Sequence, residues 1–450
     1  MMQQLSSYIS SALKKPLPLE VTERAKLHLV DTFAAMISGS RLLPGKKALT
    51  YVKSLGGKPE VGLVGTSVVT SVLNAALANG MFGHADETDD IHTPTYSHPG
   101  SGVVPAALAI GERDRIAGRE VLRAIVLGYD ICARILFSLD AVALRTAGRQ
   151  ATSFGAVFGA AAAAGSLLKL NEREVRFMLS YAAQQTAGLY CVHRDTQHIE
   201  KSFAGVAMGV RNGTAAALMV EHGFTGVEDV FSGERNFFFT FAPKADPKQF
   251  MLLTQGLGRD FAIMRSAIKR WPAGGSIQGS LHVLQEMIQR HGFKVNEVER
   301  LVVRIPQRDV RSVNNRDMPD DCIQHLLAVM LLDGTLTFKS AHDYSRMKDP
   351  KVMAVRKRVE LVGDESLTDP LQPWRCVMEI ILKERRKLSH RTMSAKGGFD
   401  DPLSRQEMEE KALDLIVPVL GKSRSRKLLN ALWEFDRIND IRSLRRLASA

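Results

Sequence analysis

Fifteen consecutive residues of this chain hold three histidines and four acids: His84, Asp86, Glu87, Asp89, Asp90, His92 and His98. They follow an apolar helical pattern expected to stop at Asn79-Gly80 and precede another whose start is marked by Pro99. The cluster is therefore expected on a loop between helix ends, where a scaffold can hold reactive groups. A histidine titrates near neutral pH, and a carboxylate that accepts its ring N–H raises its basicity, so Asp89 or Asp90 beside His98 or His92 would make a proton-transfer unit. The same residue types ligate metals, but neither HExxH nor DxDxDG spacing occurs, and no metal is expected. The plainer alternative is an acidic, solvated loop with helix-capping aspartates.

Two lysines stand out by context. Lys201 lies in His198-Ile199-Glu200-Lys201-Ser202-Phe203, at the mouth of a helix rich in small residues. Lys269 lies in Ile268-Lys269-Arg270-Trp271-Pro272-Ala273-Gly274-Gly275, where an apolar strand is expected to give way to a glycine-rich turn and a helix. Backbone N–H groups at such a turn favour a carboxylate or phosphate. Taken by itself, either lysine reads more readily as a surface charge. Neither GxGxxG nor GxxxxGK[ST] is present, so no nucleotide cofactor is expected.

The elements that must position these groups are mostly helical. Up to about residue 255 the apolar periodicity predicts helices near 21–38, 71–79, 103–112, 119–138, 153–168, 171–184 and 203–222, with Gly39 as a helix-ending residue and Asn171/Glu174 as a capping box. Their alanine and glycine content predicts close helix–helix approach. After Gly256 short β-branched runs (302–305, 359–362, 377–382) alternate with helices near 276–291, 322–332 and 350–358. A Gly/Asp/Pro linker follows, then helices near 404–415, 422–436 and 438–448. The expected architecture is mainly α: a large all-helical domain from residues 1–257 and 400–450, with a smaller α+β lid domain, 258–399, inserted. Ligand sites favour the cleft between two such domains.

Composition narrows the function. The 450 residues are 45% hydrophobic, and 60 basic against 48 acidic side chains leave a net +12. That surplus can steer anions. The densest basic runs, Lys383–Lys387 and Arg442–Arg446, are short and carry no interleaved Phe or Tyr, so nucleic acid is not an expected partner. Four widely separated cysteines without a CxxC pair fit a reducing compartment, and no signal-peptide pattern is visible. Phe154–Leu168 is too short for a bilayer span. The expectation is a cytoplasmic protein with no membrane partner.

The residues His84-Ala85, Glu87, Asp89-Asp90 and His98-Pro99-Gly100 resemble the HALDFDDTH…HPG signature of the MmgE/PrpD family. The similarity continues through Lys201 with Arg211-Asn212-Gly213, Gly223-Phe224-Thr225-Gly226, Lys269-Arg270-Trp271-Pro272, and Gln324-His325-Leu326 to Asp333-Gly334, spanning about residues 20–440. The resemblance implies a helical domain with a small α+β lid, a homodimer, no metal or organic cofactor, and a small polycarboxylate substrate. It implies catalytic roles for His98, Lys201, Lys269 and Asp89, and substrate contacts from Glu87, Asp90, His92, Arg149, Gln150, Gln278 and His325. His325 stands where the family's cis-aconitate decarboxylases carry tyrosine. Three departures mark a subgroup: Gln150 replaces a histidine that precedes the alanine-rich helix, Ile91 replaces the threonine of the signature, and the turn 274–278 lacks a histidine.

The chemistry implied is that of a cofactor-independent lyase, a dehydratase or decarboxylase that moves a proton beside a carboxylate. Lysines would hold the substrate's carboxylates and absorb developing charge while an imidazole carries the proton. An isomerase or epimerase using the same pocket, and a non-catalytic carboxylate-binding protein, are the alternatives.

Overall fold

The computed structural model describes residues 1–450 except Pro243, Pro370 and Pro373, and His193 by its backbone only. The chain is mainly α, 62% helical. It divides into two compact units: residues 1–85, 89–266 and 408–450 form the first, and residues 86–88 and 267–407 form the second.

The first unit is built around helix Ala151–Leu167, every residue of which is buried. A helix without a polar face must be wrapped on all sides. Helices Pro99–Arg113, Gly118–Leu139 and Met208–Glu221 do so. Its alanines and glycines let backbones meet: a Cβ at Gly159 would stand 2.7 Å from the Gly128 carbonyl oxygen. The run Ile199–Glu221 has the length and apolar character to cross a membrane, but it packs on this central helix and 56% of its apolar window is buried. Both chain ends contribute helices. Lys411, from Arg405–Leu420, forms a buried ion pair with Asp31 of Leu19–Gly39. Burial pushes the Asp31 carboxyl up to about 6, against the pull of Lys411.

Two expected helix ends lie elsewhere. Gly39 stays inside its helix, and Ser40 forms the C-cap with ordinary right-handed backbone. What position 39 needs is an absent side chain, because a Cβ there would meet the Phe82 carbonyl oxygen at 1.9 Å. The helix expected to stop at Asn79-Gly80 runs from Val72 to Gly83. Asn79 fits inside it because its amide is used: Oδ1 accepts from the Val64 N–H (3.0 Å) and Nδ2 donates to the Gly62 carbonyl (3.2 Å). The Asn171/Glu174 capping box is present as expected.

The second unit carries a four-stranded sheet of β1 (Val298–Pro306), β2 (Val359–Asp364), β3 (Cys376–Leu382) and β4 (Lys387–Thr392), in the order β2-β1-β3-β4. β1 and β2 are parallel, joined through helices Ile323–Asp333 and Pro350–Arg356, and the other pairs are antiparallel. Along β3, Cys376, Met378, Ile380 and Leu382 alternate inward to a core shared with Leu281 and Leu284 of helix Gln278–His291 and with Leu327 and Met330. The fourth strand, β4, lacks a β-branched run: only Leu388 and Thr392 of its six residues are buried, the charged pattern of an edge strand.

Gly39→Ala should lower stability by about 3 kcal/mol, since the clash is with backbone and cannot be relieved by a rotamer change. Thermal or urea denaturation checks this, and a surface control such as Lys47→Ala should stay near wild type.

Candidate active site

The acidic stretch is not a solvated loop. Asp86, Asp89 and Asp90 are all buried. Buried carboxylates need donors, and Asp90 finds three: the His28 Nδ1–H (2.7 Å) and the Tyr129 hydroxyl (2.7 Å) on Oδ2, and the Gly100 N–H (2.9 Å) on Oδ1. The last bond places a carboxylate at the positive end of helix Pro99–Arg113, whose N-cap is His98. Gly100 has no room for a side chain, because a Cβ there would be 2.7 Å from Asp90 Oδ1. The His-Pro-Gly sequence therefore fixes where the His98 ring begins.

Two acceptors then orient that ring. His98 Nδ1 lies 2.8 Å from the Asp90 carbonyl oxygen and 3.3 Å from Asp89 Oδ1. A carbonyl can only accept, so Nδ1 carries the proton and Nε2 is the nitrogen left for chemistry. The His98 side chain is 14% exposed, enough to be reached. Asp89 also accepts from His84 Nδ1 (2.9 Å) and the Ser101 hydroxyl (2.8 Å). Burial disfavours its charge, yet the facing His98 and His84 hold its carboxyl well below the usual range. Burial pushes His84 down to about 4, so it stays neutral. Its ring stands 4.6 Å from that of His98, centroid to centroid. The ligating atoms of His84, Asp89 and His98 lie within 4.8 Å of one another.

Lys201 and Gln150 belong to the same neighbourhood. The charge of Lys201 is close enough to lower the proton affinity of His84. Just after Lys201 the helix widens into a π-turn, Phe203–Ala207, a feature frequent at functional sites. It contains Gly205, where a Cβ would be 3.1 Å from His84 Nε2 and 3.7 Å from the Gln150 side-chain nitrogen. Three other expected contacts are committed elsewhere. Arg149 donates to the Phe241 carbonyl (2.8 Å) and lies over the Phe241 ring. His92 is buried, bonded to Thr95 Oγ1 (2.7 Å) and pushed down to about 3 by burial. Asp90 is occupied by His28, Tyr129 and the helix N-terminus.

In the second unit the tripeptide Asp86–Thr88 is clamped by two cations. Lys269 is fully buried, not the surface charge its local sequence allows. Its Nζ donates to the Glu87 carbonyl (3.0 Å) and pairs with Glu87 Oε2 (3.4 Å). His342 Nε2 lies 2.9 Å from Asp86 Oδ2, and its Nδ1–H donates to the Phe338 carbonyl (2.8 Å). Burial opposes the imidazolium, but Asp86 outweighs it and raises His342 to about 9. Gln278 braces the turn that follows Lys269: Oε1 accepts from the Trp271 N–H (3.2 Å), and Nε2 donates to the carbonyls of Trp271 (3.0 Å) and Ala273 (2.9 Å). With its amide used this way, Gln278 positions backbone where a substrate contact was expected. His325 is buried in Ile323–Asp333 and lowered to about 4, first by burial and then by Arg356. Among the described residues neither of its ring nitrogens has a hydrogen-bond partner.

Sequence reasoning missed His28, Tyr129, Ser101 and His342. His28 and Asp31 carried a usable signal, polar residues three apart at the start of the mostly apolar second half of their helix. His342 had none, being 256 residues from Asp86 in the chain.

Residues 3–249 match the MmgE/PrpD N-terminal domain and residues 271–435 the MmgE/PrpD C-terminal domain. The chain belongs to the MmgE/PrpD family. Among its curated relatives, a cis-aconitate decarboxylase-like protein of Aspergillus oryzae is 22% identical, covering 99% of this chain and 96% of the relative. The cis-aconitate decarboxylases of Mus musculus and Homo sapiens are 24% and 26% identical, covering 95% and 87% of this chain and 89% and 82% of their own. This MmgE/PrpD member is an enzyme of the lyase type.

His342 holds its proton up to about pH 9 when folded, against about 6.5 when unfolded. Its stabilisation is therefore complete below pH 6.5 and disappears as pH rises through 9. His342→Gln should cost on the order of 3 kcal/mol at pH 6. The gap from wild type should close toward pH 10, as followed by thermal melts across that range.

Proposed function

We propose that this enzyme decarboxylates a small unsaturated tricarboxylate of the cis-aconitate class without a metal or organic cofactor. The observation that carries this reading is the His98 geometry: Nδ1–H tied to the Asp90 carbonyl and Asp89 beside it, with the ring still reachable. The relatives' names support the substrate class. In the reaction the bond to one carboxylate breaks and CO₂ leaves. The electron pair remains on carbon beside a second carboxylate, and His98 delivers a proton from Nε2 to that carbon.

Lys201 and Lys269 serve as the cations for the substrate's carboxylates, and Asp89 orients the His98 ring from its Nδ1 side. Gln150 donates an amide N–H where other members carry an imidazole. His325, with both ring nitrogens unsatisfied inside its own unit, hydrogen-bonds the substrate; Glu87 acts through Lys269. The treatment of the sheet-bearing unit as a lid belongs to the same proposal. So does a homodimer, supported by exposed apolar residues of the helical unit such as Leu189, Val227 and Phe239. Four unpaired cysteines support a cytoplasmic location.

An NMR time course in D₂O with cis-aconitate, citrate and 2-methylcitrate tests the chemistry. The expected result is CO₂ loss with one deuterium on the product carbon. Water loss or α-proton washout without CO₂ would replace decarboxylation by dehydration or epimerisation. His98→Asn, Lys201→Ala and Lys269→Ala should each lower kcat by roughly 10²–10⁴-fold, with folding verified by circular dichroism. Undiminished turnover in all three would refute these roles.

A further inference from the structure

The basic run Arg442–Arg446 takes no part in the site above. Its arginines nevertheless line a groove of about 650 Å³ in the helical unit, formed by Arg424, Arg442, Ser443, Arg445, Arg446 and Ser449. Arg424 comes from helix Lys422–Trp433 and the others from the turns that follow it. Every lining side chain is a guanidinium or a hydroxyl, so the groove presents donors.

Its charge is left largely uncompensated. Arg445 pairs with Glu112. Arg442 donates instead to the main-chain carbonyls of Glu112 (2.9 Å) and Arg113 (2.8 Å), and Arg424 to that of Ser449. Carbonyl bonds hold a guanidinium in place without neutralising it. Arg446 is exposed. Among the described residues no carboxylate pairs with Arg424, Arg442 or Arg446. Three positive charges around one concavity, those of Arg424 and Arg442 held by carbonyls, repel one another and raise the local concentration of anions.

We propose that this groove is a binding site for a small phosphorylated anion bearing at least two phosphoryl groups, separate from the lyase site. Each phosphoryl group offers three oxygens in a tetrahedral array and can accept from two or three guanidinium forks at once. A carboxylate fills one fork. An extended nucleic acid is disfavoured because no aromatic side chain lines the groove and the arginines are confined to one concavity rather than a stripe.

The test is isothermal titration of the full chain with pyrophosphate at constant ionic strength, beside citrate, sulfate and a short DNA duplex. The expected result is saturable one-to-one binding of pyrophosphate, tighter than citrate or sulfate. Arg424→Ala/Arg446→Ala should weaken it at least about tenfold. Both positions are surface arginines, and unchanged circular dichroism and melting temperature would establish folding. Arg446→Glu, a single charge reversal, should weaken it as well and serves if the double variant does not fold. Equal affinity in the variants, citrate binding as tightly as pyrophosphate, or displacement of pyrophosphate by the duplex would each overturn the assignment. The readout does not depend on turnover, so it stands or falls apart from the decarboxylase reading.

Discussion

Two consecutive carboxylates, Asp89 and Asp90, lie fully out of water in the helical unit, and the geometry of the site follows from satisfying them. Each buried ion costs several kcal/mol unless its lone pairs are met. The donors come from across the unit: His28 and Tyr129 from two different helices, His84 from the end of a third, and Gly100 and Ser101 from the first turn of a fourth. Meeting that demand leaves little freedom in the segment between them. The His98 ring is positioned as a consequence, with its Nδ1 against the backbone of one aspartate and near the side chain of the other.

The environment also sorts the histidines by task. His84, His92 and His325 are neutral because burial penalises their charge, with values of about 4, 3 and 4. His342 is charged because Asp86 meets its Nε2. One residue type thus supplies a hydrogen-bonding strut beside Asp89, a core ring against Phe137, an unsatisfied buried imidazole and half of an ion pair. Sequence position does not distinguish these. Solvation and the sign of the nearest charge do.

The two levels of structure were not equally visible in the sequence. Periodicity located most of the long helices, though not Met2–Ser11 or Leu43–Leu55, and three of the four sheet strands, because a buried stripe repeats in the residues themselves. It misplaced ends at Gly39 and Asn79, where a contact from a distant segment overrides the usual terminating preference: the Phe82 carbonyl at one, the Val61–Gly62 strand at the other. β4 lacked the signal because Lys387–Thr392 holds no β-branched run, whereas β2, the other edge strand, opens on Val359 and carries Val362. In the site, the local motif around His84–His98 stood out, but the partners that give it meaning did not. His28 and Tyr129 join Asp90 only through tertiary packing. Gln278 and Arg149 could be placed near motifs but not assigned an acceptor, and in both cases that acceptor is a main-chain carbonyl, a group every residue carries and no motif records.

The number of proton carriers bears on the reaction type. Dehydration needs a base for the α-proton and an acid for the departing hydroxyl, and epimerisation needs groups on opposite faces of one carbon. Decarboxylation needs one proton, delivered after CO₂ has left. In the helical unit Gln150, whose amide does not titrate, lies beside the same π-turn glycine as His84. His84 cannot serve as a second carrier near neutral pH, because burial holds it unprotonated down to about 4 and its Nδ1 is bonded to Asp89. Among the described residues around Asp89, the imidazole that is reachable and has its Nδ1 proton held by an acceptor is His98. The proposed decarboxylation needs one such carrier and a cation beside the carbanion, the parts that His98 and Lys201 take in that proposal. Placing a histidine at position 150 would add a titratable group beside His84.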